Sequence, residues 1–465
     1  MKALWLTLIL GFFLLAGCVP DFVSVSRDGT IALTLTKEGD FDPIEGDDQR
    51  LYLTNANADF LTRIEGMDDC AWPQISPSGK FIVADSEEGL VLYDRNSKKR
   101  RVIYRPPKGA GDSGPRLPAW SPDEKKIALF EGDYDSPNFA LKVYDVKRRE
   151  LEVLDRLASP LATWLPDSKR LAYVSLPCDV SEDDESFPFG DLRIMNVRTG
   201  KQTTLAPGQL SPFTKIAAFP QGESILFSCV DWEDMELGRT GITAPIVLRR
   251  QLLPRRVKKE ATPRRGEVGQ VQTSRPEGEK AKPAPERAQP AASEEKAEEE
   301  GFVITEGQPF CYLTCAVSPD GKRIAYVRYL WDEPSAAPAA AEKKETEAEK
   351  TRKRESEEEN PETDEHDNEP TGVEFCVAKA DGTDSVVVLR SMGKGQMPQV
   401  LWVSNTRLLC GIVSFDSDED SKARLILVDA DGKNTFNLTE TIRTKFADRF
   451  QRENEKEDRT EEEGI

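Results

Sequence analysis

Histidine, the side chain most enzymes use to move protons near neutral pH, is almost missing from this chain of 465 residues. The only one, His366, sits in the polar stretch "TDEHDNEP". No Ser-His-Asp or Cys-His arrangement can therefore be assembled from core-forming sequence, nor a His-ligated zinc site. Carboxylates are plentiful instead. They gather in "KEGDFDPIEGDD" (37–48), "DSEEG" (85–89), "EGDYDSPNF" (131–139), "PCDVSEDDESFPFG" (177–190), "VDWEDMELGR" (230–239) and "FDSDEDSK" (415–422). The candidate binding residues are Asp40, Asp42, Asp47, Asp133, Asp135, Asp183, Asp184, Glu233, Asp234, Asp418 and Asp420. Such a set could steer a basic protein partner in a salt-sensitive way. Converging carboxylates could also hold Ca2+, which takes six to eight oxygen ligands. No segment has EF-hand or DxDxDG spacing, so no metal ligand, cofactor or catalytic residue is assigned.

The formal net charge of -20 argues against nucleic acid as a partner, since phosphate is met by a basic face. Apart from Cys18 there are seven cysteines, Cys70, Cys178, Cys229, Cys311, Cys315, Cys376 and Cys410, with no CxxC among them. An odd number cannot pair completely within the chain, and buried free thiols are the expectation. Two stretches, about 254–300 and 331–371, are dense in Glu, Lys, Pro and Ala and poor in large apolar residues. They cannot bury enough surface to offset chain entropy and read as disordered inserts.

The start, "MKALWLTLILGFFLLAGC", places Lys2 before an apolar run and then small residues before a cysteine. The run is short for a membrane span and suits a secretory signal. Its ending, Leu15-Ala16-Gly17-Cys18, resembles a bacterial lipobox. That resemblance implies a signal peptide over 1–17, a diacylated (palmitate-bearing) Cys18 as the mature N-terminus and a tether over 18–22. It also implies attachment to a bacterial membrane, facing the periplasm or the cell exterior.

The elements that must position the carboxylates come from a repeated phrase. "WPQISPSGKFIVA" (72–84), "AWSPDEKKIALF" (119–130), "TWLPDSKRLAYV" (163–174) and "CAVSPDGKRIAYV" (315–327) each place a Pro-containing turn between two strand-like runs. Proline presets φ at the second turn position, and Gly at the fourth supplies the positive φ that returns the chain. Weaker copies stand at 24–35, 217–228 and 401–413, making seven hairpins. Each is followed by a third strand, such as "LVLYDR" (90–95) or "LKVYDV" (141–146), and a fourth, such as "RRVIYRP" or "LEVLDR". Trp72, Trp120, Trp164 and Trp402 precede the turns and are read as packing between repeats.

Four strands at this period point to an all-β chain of four-stranded antiparallel blades. The residues "WSPDEKKIALF…LKVYDV" and "VSPDGKRIAYVRY" resemble the TolB-type, WD40-like β-propeller repeat. The resemblance implies a seven-bladed β-propeller over 23–440, interrupted by the two inserts. It does not extend to TolB itself, which carries an α/β domain ahead of its propeller. Ile442, Phe446 and Phe450 share one helical face, so a short C-terminal helix and an acidic, fraying tail are expected over 441–465.

Propeller geometry puts the loops joining second to third strands on one side, and these are the acidic ones. The Lys- and Arg-rich turns "DEKK", "DSKR", "RNSKKRR" and "VKRRE" fall on the other side. The functional expectation is a lipid-anchored, non-catalytic scaffold that binds an envelope protein through its acidic loop face. The alternatives are a hydrolase, lyase or glycosidase with a carboxylate site in the central funnel, or a Ca2+ or small-ligand sensor.

Overall fold

The computed structural model describes residues 21–41, 49–106, 117–132, 139–176, 190–210, 214–230, 236–238, 241–243, 246–253, 302–303, 314–330, 370–414 and 422–463. The chain is built from antiparallel sheets laid down in sequence order. Sheet 1 pairs Val23–Val25, Thr30–Leu35, Arg50–Asn55 and Thr62–Asp68. Sheet 2 pairs Cys70–Ile75, Phe81–Ser86, Gly89–Asp94 and Lys99–Tyr104. Sheet 4 uses Ile216–Ala218, Ser224–Val230, Ile246–Leu252 and Phe302–Val303. Sheet 5 uses Cys315–Val317, Arg323–Leu330, Gly372–Lys379 and Val386–Met392, and sheet 6 uses Gln396–Ser404, Arg407–Ser414, Lys422–Asp429 and Thr435–Asn437.

Sheet 3 departs from the expected separate quartets: it has seven strands. Glu150–Trp164 runs on as one strand. Its first part pairs with Phe139–Asp145 and its second with Arg170–Ser175. The segment "RLASPLATW" has no Gly, and its Ser159-Pro160 is not followed by the Asp or Gly that completes the other turns, so the fourth strand of one repeat passes without a break into the first of the next. Register shifts near Phe139–Lys142 and Ala158–Ala162 absorb the change of direction. The two halves of sheet 3 are called 3a and 3b below.

Strand interiors are apolar on both faces, as in Thr30–Leu35, where all six residues are buried. The faces form seven clusters. One joins sheets 1 and 2 through Ala32, Leu53, Cys70 and Ile82. Others join 2 to 3a, 3a to 3b, 3b to 4, 4 to 5 and 5 to 6. The last joins sheet 6 back to sheet 1, with Leu409, Val413, Leu425 and Leu427 against Ile31, Leu33 and Tyr52.

Helix α1 (Leu438–Lys445) follows the three-residue last strand, and its N-cap Asn437 accepts from the Glu440 amide. Helix α2 (Ala447–Glu463) continues through the polar segment expected to fray. Its apolar anchor is Phe450, 3% exposed and edge-on to Tyr52. Its polar side reaches sheet 1: Tyr52 donates to Glu453 at 2.9 Å, and Arg63 pairs with Glu457 at 2.6 Å. Tertiary ion pairs therefore keep helical a stretch whose composition favours solvent.

The turns behave as their sequence requires. The fourth turn residue has positive φ in six of the seven hairpins: Gly29, Gly79, Gly222 and Gly321 at 82°, 74°, 71° and 70°, and Glu124 and Ser168 at 59° and 56°; the turn between Ser404 and Arg407 has none. The opening serine is buried in Ser76, Ser121 and Ser318, and its hydroxyl accepts from the amide at the head of the next strand. Neighbouring turns lock together: the Arg27 amide donates to the Pro77 carbonyl, Ser78 binds Glu124, and the Asp320 amide donates to Asn405. The repeated phrase is scaffold. Three indoles continue this bracing. Trp120, Trp164 and Trp402 donate to the carbonyls of Gln74, Ala119 and Ala316, each on the innermost strand of the preceding sheet or half-sheet. Trp72 lies in an irregular stretch between Ala71 and Gln74, with φ 50°, and packs against the cluster that joins sheets 6 and 1.

Candidate functional site

The sheets have two ends. One carries the turns just described, and the other carries the connections between second and third strands, where the sequence concentrates acid. Of the predicted acidic residues, Asp40 is described. It is exposed and faces Arg443 of α1 at 3.4 Å. Asp42, Asp47, Asp133, Asp135, Asp183, Asp184, Glu233, Asp234, Asp418 and Asp420 lie outside the described residues, as does Cys18. So do 254–300, residues 331–369 of the second insert, and the cysteines Cys178 and Cys311. One acidic loop contains an element that the sequence reading missed: Glu236–Gly238 pairs with Gly241–Thr243 as a small hairpin.

The roots of the loops show how this end is held. The loop of sheet 1 is clamped by α2, because Phe450 packs against Gly39 and the Asn454 side chain donates to the Lys37 carbonyl. Phe41, in the same loop, is buried beside Phe22 with ring centroids 5.7 Å apart. Phe22, which the sequence reading leaves in the tether, is thus core.

Further round, the strand ends carry paired charges. Glu88 binds Arg100 at 2.9 Å, and Glu131 takes both Lys142 and the Tyr104 hydroxyl. Tyr173 donates to Asp155 at 2.7 Å, and Asp191 pairs with Arg193 at 2.9 Å. Burial and then Asp155 push the Tyr173 phenol above its ordinary range, so it stays a donor.

In sheet 5, Glu374 is 1% exposed and is gripped by Arg328 and Arg390 from the strands on either side. Burial works to raise its pKa, but hydrogen bonds and charge from the two guanidinium groups outweigh that and hold it below the ordinary glutamate value.

At the entry to the innermost strands, Asp21 of sheet 1 pairs with Lys215 of sheet 4 at 2.5 Å. The Asp21 carbonyl also accepts from the Gln74 side chain of sheet 2. Sheets 1 and 4 are not neighbours in the series of apolar clusters, so this pair joins two sheets that the clusters leave apart. Neither residue stands in an acidic run, and nothing local in the sequence signals their meeting. At the turn end, the Arg27 guanidinium likewise reaches past sheet 2 to the Pro122 carbonyl at 3.1 Å.

The thiols are inert by placement. Cys70, Cys315, Cys376 and Cys410 are free and buried, and Cys229 is buried as well. Burial pushes Cys70 and Cys315 up to about 12 and Cys376 to about 11. Among the described residues there is no grouping of His, Cys, Asp and Glu that could hold a metal ion, and no helix long and apolar enough to cross a membrane.

No family model and no curated protein matches the chain. Solved structures do. TolB from Acinetobacter baumannii is similar over 79% of this chain and 65% of its own, at 13% identity and a TM-score of 0.37. The chain thus spans somewhat under two-thirds of that protein, and 34% of the tricorn protease that it also matches. An oligogalacturonate lyase in complex with manganese is similar over 88% of each chain, at 11% identity and a TM-score of 0.48. The β-propeller domain of the Trilobed protease from Pyrococcus furiosus is similar over 90% of this chain and 93% of its own, at 11% identity and a TM-score of 0.47. The similar structures thus include TolB and other β-propeller proteins.

Proposed function

We propose that the chain is a closed, seven-bladed β-propeller that serves as a non-catalytic, protein-binding scaffold, held to a bacterial membrane through a lipidated Cys18. The seven apolar clusters support the ring, because they join successive sheets and return from the last to the first. In this reading sheets 3a and 3b are two blades sharing a strand, and α1 and α2 take over where the outer strand of sheet 6 ends.

The observation that carries the functional reading is the Asp21–Lys215 ion pair. In a ring of seven it crosses the channel mouth on the acidic side, so that side offers a partner its rim of loops rather than an open funnel. A rim of like-signed loops raised on ion-paired roots suits recognition of a basic protein surface, with electrostatics setting the encounter rate. A catalytic acid needs a carboxyl free to exchange its proton with substrate. Glu374 and Asp21 are instead committed to Arg and Lys partners.

The soluble Cys18→Ser form, used as bait at low salt, is expected to recover an envelope protein that is released as salt is raised. Recovery of none refutes protein binding. Unchanged membrane attachment of the Cys18→Ser form refutes the anchor. A melting temperature that rises with added Ca2+ favours the sensor reading instead.

A further inference from the structure

The turn end carries a second, oppositely charged surface. In sheet 2 the turn between third and fourth strands exposes Lys98 and Lys99, and in sheet 3a it exposes Lys147, Arg148 and Arg149. These turns touch, because Arg101 donates to the Val146 carbonyl at 3.1 Å. In sheet 3b the same turn adds Arg198 and Lys201.

The turns are built alike. Asp94, Asp145 and Asn196 each cap the two amides that follow, at residues 96–97, 147–148 and 198–199. The two Asp side chains are thereby turned onto backbone, and the cations beyond them form no ion pair with a described acidic group. Exposed carboxylates on sheet 3a are Glu150, Glu152 and Asp123, the last paired with Lys125 at 3.3 Å.

The other half of this end is different. Lys379 in sheet 5 pairs with Asp384 at 2.5 Å, and Lys433 in sheet 6 pairs with Asp431 at 2.9 Å. Asp59 and Asp381 are exposed there as well. The cationic surface is therefore an arc over three consecutive turns, and not a property of the whole end.

Left-handed residues recur in these turns around the molecule, with Ala58 and Asp384 at φ 51° and 55° in the other half, but in the arc the positions carry cations. The fifth residue of the turn in sheet 3b is Gly200, with φ 66°. In the equivalent places Lys98 and Arg149 have φ 52° and 62°, a left-handed conformation that disfavours any residue with a Cβ. Two adjacent turns thus carry a cation where the geometry favours glycine.

We infer that this arc is a docking surface for an acidic polypeptide segment of a partner protein, separate from the acidic loop face. Charge complementarity selects an anion. The shape of the arc selects a polypeptide over a lipid leaflet. A flat anionic surface laid on this end would press against Asp59, Asp381, Asp384 and Asp431, whereas an extended acidic segment can follow the cations alone. With basic partners at one end and acidic ones at the other, the molecule would bridge two proteins.

The test titrates the full chain, in a non-ionic detergent, into a fluorescent peptide of about twelve glutamates at about 0.05 M and 0.3 M salt, followed by anisotropy. The variant Lys98→Ser/Lys147→Ser/Arg148→Ser should bind about five- to tenfold more weakly at low salt. Lys322→Ser/Lys379→Ser/Lys433→Ser removes equal charge from the other half and should stay within about twofold of the parent. Equal loss in both variants, or none in the first, overturns the proposal. So does binding to anionic lipid vesicles without binding to the peptide. The pair Lys98→Gly/Arg149→Gly should melt about 2–4 °C higher yet hold the peptide less tightly. An unchanged affinity in that pair contradicts a role for these cations.

Discussion

Ser168 stands where the sister turns place Gly79, Gly222 and Gly321, with φ 56°. Replacing it with glycine removes left-handed strain at the cost of a floppier unfolded chain, and should stabilise by about 0.5–1 kcal/mol. A urea midpoint that falls in Ser168→Gly would contradict this reading. The turn itself was legible: "SPDG" prescribes its φ values residue by residue. Glu374 was not, because its Arg partners lie 46 residues before it and 16 after it, and sequence separation hides strand register. Its folded pKa is depressed, so its contribution is present above the unfolded value near 4.3 and is lost as pH falls through the folded value. Glu374→Gln should cost about 1–3 kcal/mol at pH 7, and the gap to the parent should narrow below about pH 4. A pH-independent difference in urea stability would rule out this assignment.

Among the elements, strands were the easiest to read, because buried β-branched and aromatic runs between turn signals leave few alternatives. The shared strand Glu150–Trp164 escaped notice because an extended linker and a strand have the same local sequence requirements. The C-terminal helix was expected around Phe450, but the continuation of α2 through 451–463 escaped for a different reason. Its sequence is polar, and what fixes it is contact with Arg50, Arg63 and Tyr52, some 400 residues away. Phe450 is the one large apolar side chain that α2 buries, and it fills the space over Gly39. Phe450→Ala should destabilise by about 3 kcal/mol and expose the helix to proteolysis before the sheets. Limited trypsin digestion with mass spectrometry reads this. Cleavage at Arg449 and Arg452 that is no faster than in the parent would show that ion pairs alone hold the helix.

At the scale of the molecule, alternating chemistry along each repeat sorts charge to the two ends of one assembly. The acidic runs fall between second and third strands at one end and a Lys- and Arg-rich arc covers three turns at the other, while apolar clusters fuse the sheets between them. The acidic runs could be assigned to one end from the sequence once the repeat was recognised, whereas the restriction of the basic surface to three turns could not. The Asp21–Lys215 bridge could not, because it depends on closure bringing residues 194 apart to one point. The central claim is that the acidic end captures a basic protein. Its most direct test is crosslinking in native membranes, comparing the parent with a form whose Asp183, Asp184, Glu233, Asp234, Asp418 and Asp420 are changed to the corresponding amides. The account predicts a discrete crosslinked partner at low salt that disappears both at high salt and in the amide form. A partner crosslinked equally to both forms, regardless of salt, would contradict it.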